Sequence, residues 1–384
     1  MQTVIIARLL TYYILLILKY LYEVGITITK KEKKVNVGIT YLKSTLEYKN
    51  SDISKSLSQL INNSFKAREN QSTNQDPCNI DIIINSDAIE IADNSMGIKK
   101  EIDSDKLFTI EVDKKDMSSG IGMKRAFFTL GNHMEIISNS RDNSRSFLIY
   151  PNNEQTNLIY TSDYLEYDTN QEEGTKINIT DLHKNIKKKI RGIDFYNTLI
   201  RELGYIHRYI IHNKLLQISI KYEKNNRSFN VEPMNIDGEC IDSIKILKGI
   251  KCELYKTNDD SNGIEVFEKG IMKYDKAEGK DAINLKKRSE QGHSYKKALV
   301  VIHTEHDNIE NIIKDNIDII QNKIDEMMTK NRHHYESNET NILFSKPWNE
   351  VENLKSYYNL RTNKEVGEKG YEKILNEYRI DRNR

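Results

Sequence analysis

Four polar stretches break the apolar pattern of this chain, and their residue types can do chemistry. Gln59 and Asn63 stand four apart within residues 57–67, so on a helix they share a stripe. A side-chain carbonyl there is the hard oxygen that magnesium prefers; a solvated surface asparagine is the plain alternative. Asp93 closes the run Ile89-Glu90-Ile91-Ala92-Asp93, and Gly97 follows four residues later. A carboxylate held in a pocket accepts a hydrogen bond from an amino group, whereas a turn aspartate caps its own loop. Gly120 and Gly122 allow backbone to approach an anion closely. The helix they open would aim unpaired N–H groups and a positive dipole end at it, with Lys124 and Arg125 adding charge. Gly174-Thr175 leads into the alternating run Lys176-Ile177-Asn178-Ile179, and entry to a strand is enough to explain the pair.

The elements that must position these residues can be read around them. Ile80 to Ile84 and Ile89 to Asp93 alternate about Asn85-Ser86-Asp87, which predicts a β-hairpin. Asn50-Ser51-Asp52 offers N-cap residues for a helix. Along it, Leu57, Leu60, Ile61, Ser64 and Phe65 recur at helical spacing and should face the core. Gln59, Asn63 and Lys66 fall on another stripe. A further helix runs from the Gly120-Ile121-Gly122 start to Leu130. Strands are expected near residues 133–137, 146–150, 157–160, 176–179 and 215–222, with one helix over 195–211. Residues 99–119 are charged and anchored by Leu107-Phe108 alone, so they read as a mobile lid.

In this order and spacing, the four stretches resemble the motifs of the GHKL ATP-binding superfamily, which covers DNA gyrase B, the large heat-shock chaperones, histidine kinases and MutL. They are most similar to its chaperone, MutL and MORC-like branch. The resemblance implies an α+β fold over residues 37–222: an ATP-binding α/β sandwich, a mixed sheet with helices on one face. It implies ATP and Mg2+ as ligands, with Asp93 reading the adenine amino group and Asn63 holding the magnesium. By the same resemblance Gly97 lets the chain pass close to the base, Gly120, Gly122 and Lys124 line the phosphates, and Thr175 stands near the adenine.

Three positions depart from the family pattern. The family's catalytic acid stands four residues before the asparagine, and here that position is Gln59. Ser95 replaces a loop glycine, and Lys66 stands where an acid is common. The resemblance therefore implies ATP binding more directly than hydrolysis. The function expected is an ATP-gated conformational switch with slow or absent hydrolysis; the alternative is a non-hydrolysing interaction module that retains the fold. A sensor kinase is disfavoured, because the first histidine is His133, already inside the domain. Expected partners are the adenine nucleotide, a second copy of the chain, and a protein or nucleic-acid client.

The 384 residues suggest two domains and a tail. The formal charge of +1 gives no whole-chain argument for a nucleic-acid or acidic partner. Cys78, Cys240 and Cys252 are too few and too scattered for a disulfide framework, which points to a reducing compartment. Residues 1–36 are apolar and then basic. The apolar stretch 4–24 contains Arg8, Lys19 and Glu23, so a membrane anchor, a packing or oligomer arm and an over-extended start all remain open. The expected location is cytoplasmic, with membrane anchoring through the N-terminus as the alternative. Residues 223–330 read as a second, smaller α/β domain resembling a transducer, with one amphipathic helix over 308–328. Residues 331–384 read as a helical tail. The run His303-Thr304-Glu305-His306-Asp307 holds metal-capable side chains but matches no closed zinc spacing.

Overall fold

The computed structural model describes residues 31–35, 52–69, 76–102, 104, 107, 121–152, 157–165, 172–222, 227–258, 263–276 and 297–331. The chain divides into two compact units, Met1–Met234 and Asn235–Arg384. The apolar stretch 4–24, most of the expected lid 99–119 and the expected tail lie outside the described residues. Among the described residues no helix is long and apolar enough to cross a membrane.

The first unit contains β1 (Lys31–Val35), α1 (Ile53–Glu69), β2 (Cys78–Ile84), β3 (Ala88–Asp93), α2 (Ile121–Leu130), β4 (Gly131–Ser140), β5 (Asn143–Asn152), β6 (Asn157–Leu165), β7 (Gly174–Leu182), α3 (Lys184–Ile190), α4 (Phe195–Ile206), α5 (Arg208–His212), β8 (Leu216–Tyr222) and β9 (Arg227–Asn230). Asp52 starts α1: its Oδ1 accepts the Lys55 N–H at 2.9 Å and the Ser54 hydroxyl at 2.8 Å, which satisfies an otherwise orphan donor of the first turn. The β2–β3 turn is closed by Asn85, whose Oδ1 accepts the N–H groups of Asp87 and Ala88.

The strands form one sheet in the order β1-β6-β5-β4-β7-β3-β2-β8-β9. The β2–β8 pair is parallel and the other described pairs are antiparallel. Strand alternation gives the sheet one apolar face, because successive side chains point to opposite sides. Cys78, Ile80, Ile82 and Ile84 of β2 and Ile89 and Ile91 of β3 are buried. Leu57, Leu60, Ile61 and Phe65 of α1 are buried too, and α1 packs beside α2 and α4. Each such side chain contributes about 1.5–3 kcal/mol on burial. The result is a mixed sheet with helices, as the fold class requires.

Two expectations change here. The single helix over 195–211 is two, α4 and α5, with a step at His207. That imidazole is fully buried, its Nε2 lies 3.2 Å from Ser58 Oγ on α1, and burial pushes it down to about 3. It is a neutral packing histidine. The boundary drawn at residue 222 falls at the end of β8, yet β9 pairs with β8 and belongs to the same sheet.

The second unit contains β10 (Gly238–Leu247), β11 (Ile250–Thr257), β12 (Gly263–Glu268), β13 (Ile271–Tyr274), β14 (Ala298–Thr304), α6 (Ile309–Asp315) and α7 (Ile317–Lys330). Its sheet runs β10-β11-β14-β12-β13, with β12 and β14 parallel. Cys252, Leu254, Ile264, Val266, Val300 and Ile302 pack with Ile309, Ile313, Ile320, Ile324 and Met327 in one core. The helix expected over 308–328 breaks at Asn316, whose Nδ2 donates to the Ile312 carbonyl at 3.0 Å. Both helices still present isoleucines to the core, Ile309 and Ile313 from α6 and Ile320 and Ile324 from α7. Of the metal-capable run, His303 Nε2 lies 3.2 Å from Glu253 Oε2 and His306 Nε2 lies 2.9 Å from the Lys248 carbonyl oxygen. No group of metal-capable side chains assembles among the described residues.

Glu253 gives this unit a pH signature. It contacts His303, accepts the Lys251 ammonium at 2.6 Å and the Tyr255 hydroxyl at 3.0 Å. The His303 contact comes first among the causes that hold the carboxyl down at about 2, against an ordinary 4.5. A depressed acid stabilises the fold fully above its unfolded value and loses that contribution as pH falls through the folded one. Glu253→Gln should therefore cost on the order of 1–3 kcal/mol at pH 7 and flatten the acid limb between pH 4.5 and 2. Urea unfolding at a series of pH values measures both.

Candidate nucleotide site

Asp93, the last residue of β3, sits where a helix, a loop and a neighbouring strand meet. Its Oδ1 accepts the N–H of Ser95 at 2.9 Å and the N–H of Thr175 at 3.0 Å. The second bond follows from register, because Asp93 and Thr175 are partners across β3 and β7. Its Oδ2 accepts the Ser64 hydroxyl of α1 at 2.5 Å. Each carboxylate oxygen offers about two lone-pair directions. Oδ1 is thus fully used, while Oδ2 keeps one direction for a further donor. Asp93 itself is only partly buried.

The loop beyond is fixed at both ends. Asn94 Oδ1 accepts the Asn79 N–H at 2.8 Å, its Nδ2 donates to the Pro77 carbonyl at 3.3 Å, and its own carbonyl accepts Arg68 Nη1 at 2.8 Å. Gly97 has φ +66°, and a Cβ there would collide with the Asn139 carbonyl oxygen. Ile98 N–H then donates to Ser138 Oγ at 2.6 Å. Further on, Arg145 of β5 is 1% exposed and donates to the Ile102 carbonyl at 2.8 Å and to Ser104 Oγ at 2.6 Å. It anchors the first residues of the segment expected to be a lid.

Gly97→Ala meets both a left-handed backbone, costing roughly 1–2 kcal/mol for an L-residue, and a clash with main chain that cannot swing aside. We expect a loss of at least about 2 kcal/mol in total, read as a lower melting temperature of the first unit.

Gln59 and the start of α2 lie together. A Cβ on Gly122 would stand 2.5 Å from Gln59 Oε1, so the amide end lies close against the first turn of α2. Asn63, one helical turn beyond Gln59, is exposed. The side chains of Gln59 and Asn63 and the hydroxyl of Thr175 make no hydrogen bond among the described residues. Gly120 lies outside the described residues.

Lys124 lies elsewhere than a solvent-facing cation would. It is 3% exposed, and burial pushes its ammonium down to about 8. Helical spacing explains this: positions 124, 127 and 128 share a face, and Phe127 and Phe128 are buried. Arg125, on another face, is exposed. Sequence reading passed over Ser64, Arg68, Asn94 and Arg145. Only Ser64 carried a signal, as a hydroxyl at an expected core position beside Asn63.

The nine-stranded mixed sheet with helices packed on it is an α/β sandwich. Residues 51–184 match the family model of histidine kinase-, DNA gyrase B- and HSP90-like ATPases. This segment is a GHKL ATPase domain. The chain is also similar to the crystal structure of the 43K ATPase domain of Thermus thermophilus gyrase B in complex with an aminocoumarin. The identity is 9% and the TM-score 0.38, covering 73% of this chain and 85% of that one. No curated protein matches the chain.

Proposed function

We propose that the protein binds ATP and uses it as a conformational switch, with slow or absent hydrolysis. The observation that carries this reading is the Asp93 carboxylate, fixed by Ser95, Thr175 and Ser64 with one acceptor direction left over. That direction suits a single N–H donor such as the adenine amino group. Thr175 offers its hydroxyl beside it, and Gly97 keeps the loop close. Asn63 supplies a carbonyl oxygen for magnesium, which would neutralise phosphate charge when bound. Gly122, with Gly120 before it, lets the start of α2 approach the phosphates. Lys124 would reach them only by leaving its buried position, so its part is the weakest of the set.

Gln59 supports a second reading, an interaction module that binds nucleotide without turning it over. A second copy of the chain and a protein or nucleic-acid client are the partners this reading allows. The likeness to the chaperone, MutL and MORC-like branch, the cytoplasmic location and the transducer role of residues 223–330 rest on sequence pattern. Hydrogen exchange of the full chain tests the switch. Saturating ATP should protect residues 89–119; exchange unchanged by ATP would contradict a switch at this site.

A further inference from the structure

We propose that Ser64 is a positioning residue that sets the base selectivity of this site, an inference that rests on the reading of Asp93 as the acceptor of an amino group. The hydroxyl has one proton and two acceptors in reach: the Leu60 carbonyl at 3.3 Å and Asp93 Oδ2 at 2.5 Å. A mid-helix serine ordinarily returns its proton to the carbonyl four residues back. Here the shorter, charge-assisted bond to the carboxylate takes it. Ser64 is buried, so water does not compete strongly for that proton.

The consequence is directional. Two backbone N–H groups hold Oδ1, and they alone would leave the outer oxygen free to pivot. Ser64 holds Oδ2 from the helix side and leaves one lone pair aimed away from it. A base that offers one exocyclic N–H fits that single acceptor. A guanine edge offers two adjacent N–H donors and needs both carboxylate oxygens, and Oδ1 is already filled by Ser95 and Thr175. Ser95 and Thr175 thereby exclude the two-donor edge, and Ser64 aims the remaining acceptor at a 6-amino group.

The test compares ATP with purine riboside triphosphate, which lacks only the 6-amino group. Calorimetry uses the full chain with magnesium present. Wild type should prefer ATP by about tenfold or more, a charged hydrogen bond's worth. Ser64→Ala should reduce that preference to about threefold or less, while affinity for the des-amino nucleotide changes less than about twofold. Ser64→Cys, similar in shape and a weaker donor, should lower the ratio in the same direction. A wild-type ratio retained in both variants, or an equal loss for both nucleotides, would overturn the role of Ser64 and leave Asp93 untouched. A wild-type protein that binds both nucleotides equally would overturn the reading of Asp93 itself, and this inference with it.

Discussion

Asp93→Ala should lower ATP affinity by at least about a hundredfold, beyond the range of ordinary calorimetry. The side chain supplies the base contact and also holds Ser95, Thr175 and Ser64 in place. Loss of a charged hydrogen bond costs roughly 1.5–3 kcal/mol, and the released loop adds to that. Asp93→Asn separates the two effects. It keeps the shape and an acceptor toward Ser95 and Thr175, but turns Oδ2 into an amide NH2. That group would face both the Ser64 hydroxyl and the incoming amino group as a donor. We expect nearly the same loss of ATP affinity with a melting temperature close to wild type. An Asp93→Asn variant that binds ATP normally would place the base elsewhere.

Gln59→Glu should raise ATP turnover at least about tenfold with little change in ATP affinity. General-base assistance is typically worth ~10²–10⁴ in rate, or roughly 3–5 kcal/mol of barrier. An amide cannot take the proton at neutral pH, although it can still orient a water. Gln59 Oε1 lies against Gly122 at the start of α2 and has no hydrogen-bond partner among the described residues. Glutamate is nearly isosteric and would occupy the same place. Steady-state phosphate release measures the gain. Brisk hydrolysis by wild type, or a variant no faster than it, would mean that another residue activates the water.

The first unit was legible because its signals are local. Helical spacing of Leu57, Leu60, Ile61 and Phe65, and two-residue alternation in β2 and β3, report directly on which side faces the core. The second unit was less so. Gly263–Glu268 is buried along its whole length and carries two acids, Glu265 and Glu268, so it shows no alternation to read. Glu268 is tolerated there because it pairs with Lys273 across the β12–β13 hairpin at 2.8 Å and accepts the Ile309 N–H, 41 residues away, at 3.0 Å. The breaks at His207 and Asn316 were hidden for a related reason: apolar periodicity survives a step in the helix. In the site, Asp93 and Thr175 lie 82 residues apart in the chain and meet through the register of β3 and β7. Ser64 was assigned to the core by its spacing. It is indeed buried, but its hydroxyl turns toward Asp93. Lys124 and Arg125 adjoin in sequence, and helical geometry buries the first and exposes the second.

The central claim is that the Asp93 site takes an adenine nucleotide with magnesium, and calorimetric titration of the full chain with ATP and with GTP, each with and without magnesium, tests it most directly. ATP should bind well above GTP, strengthened by magnesium in wild type and insensitive to magnesium in Asn63→Ala. Equal affinity for the two nucleotides, or no binding of either, would contradict it.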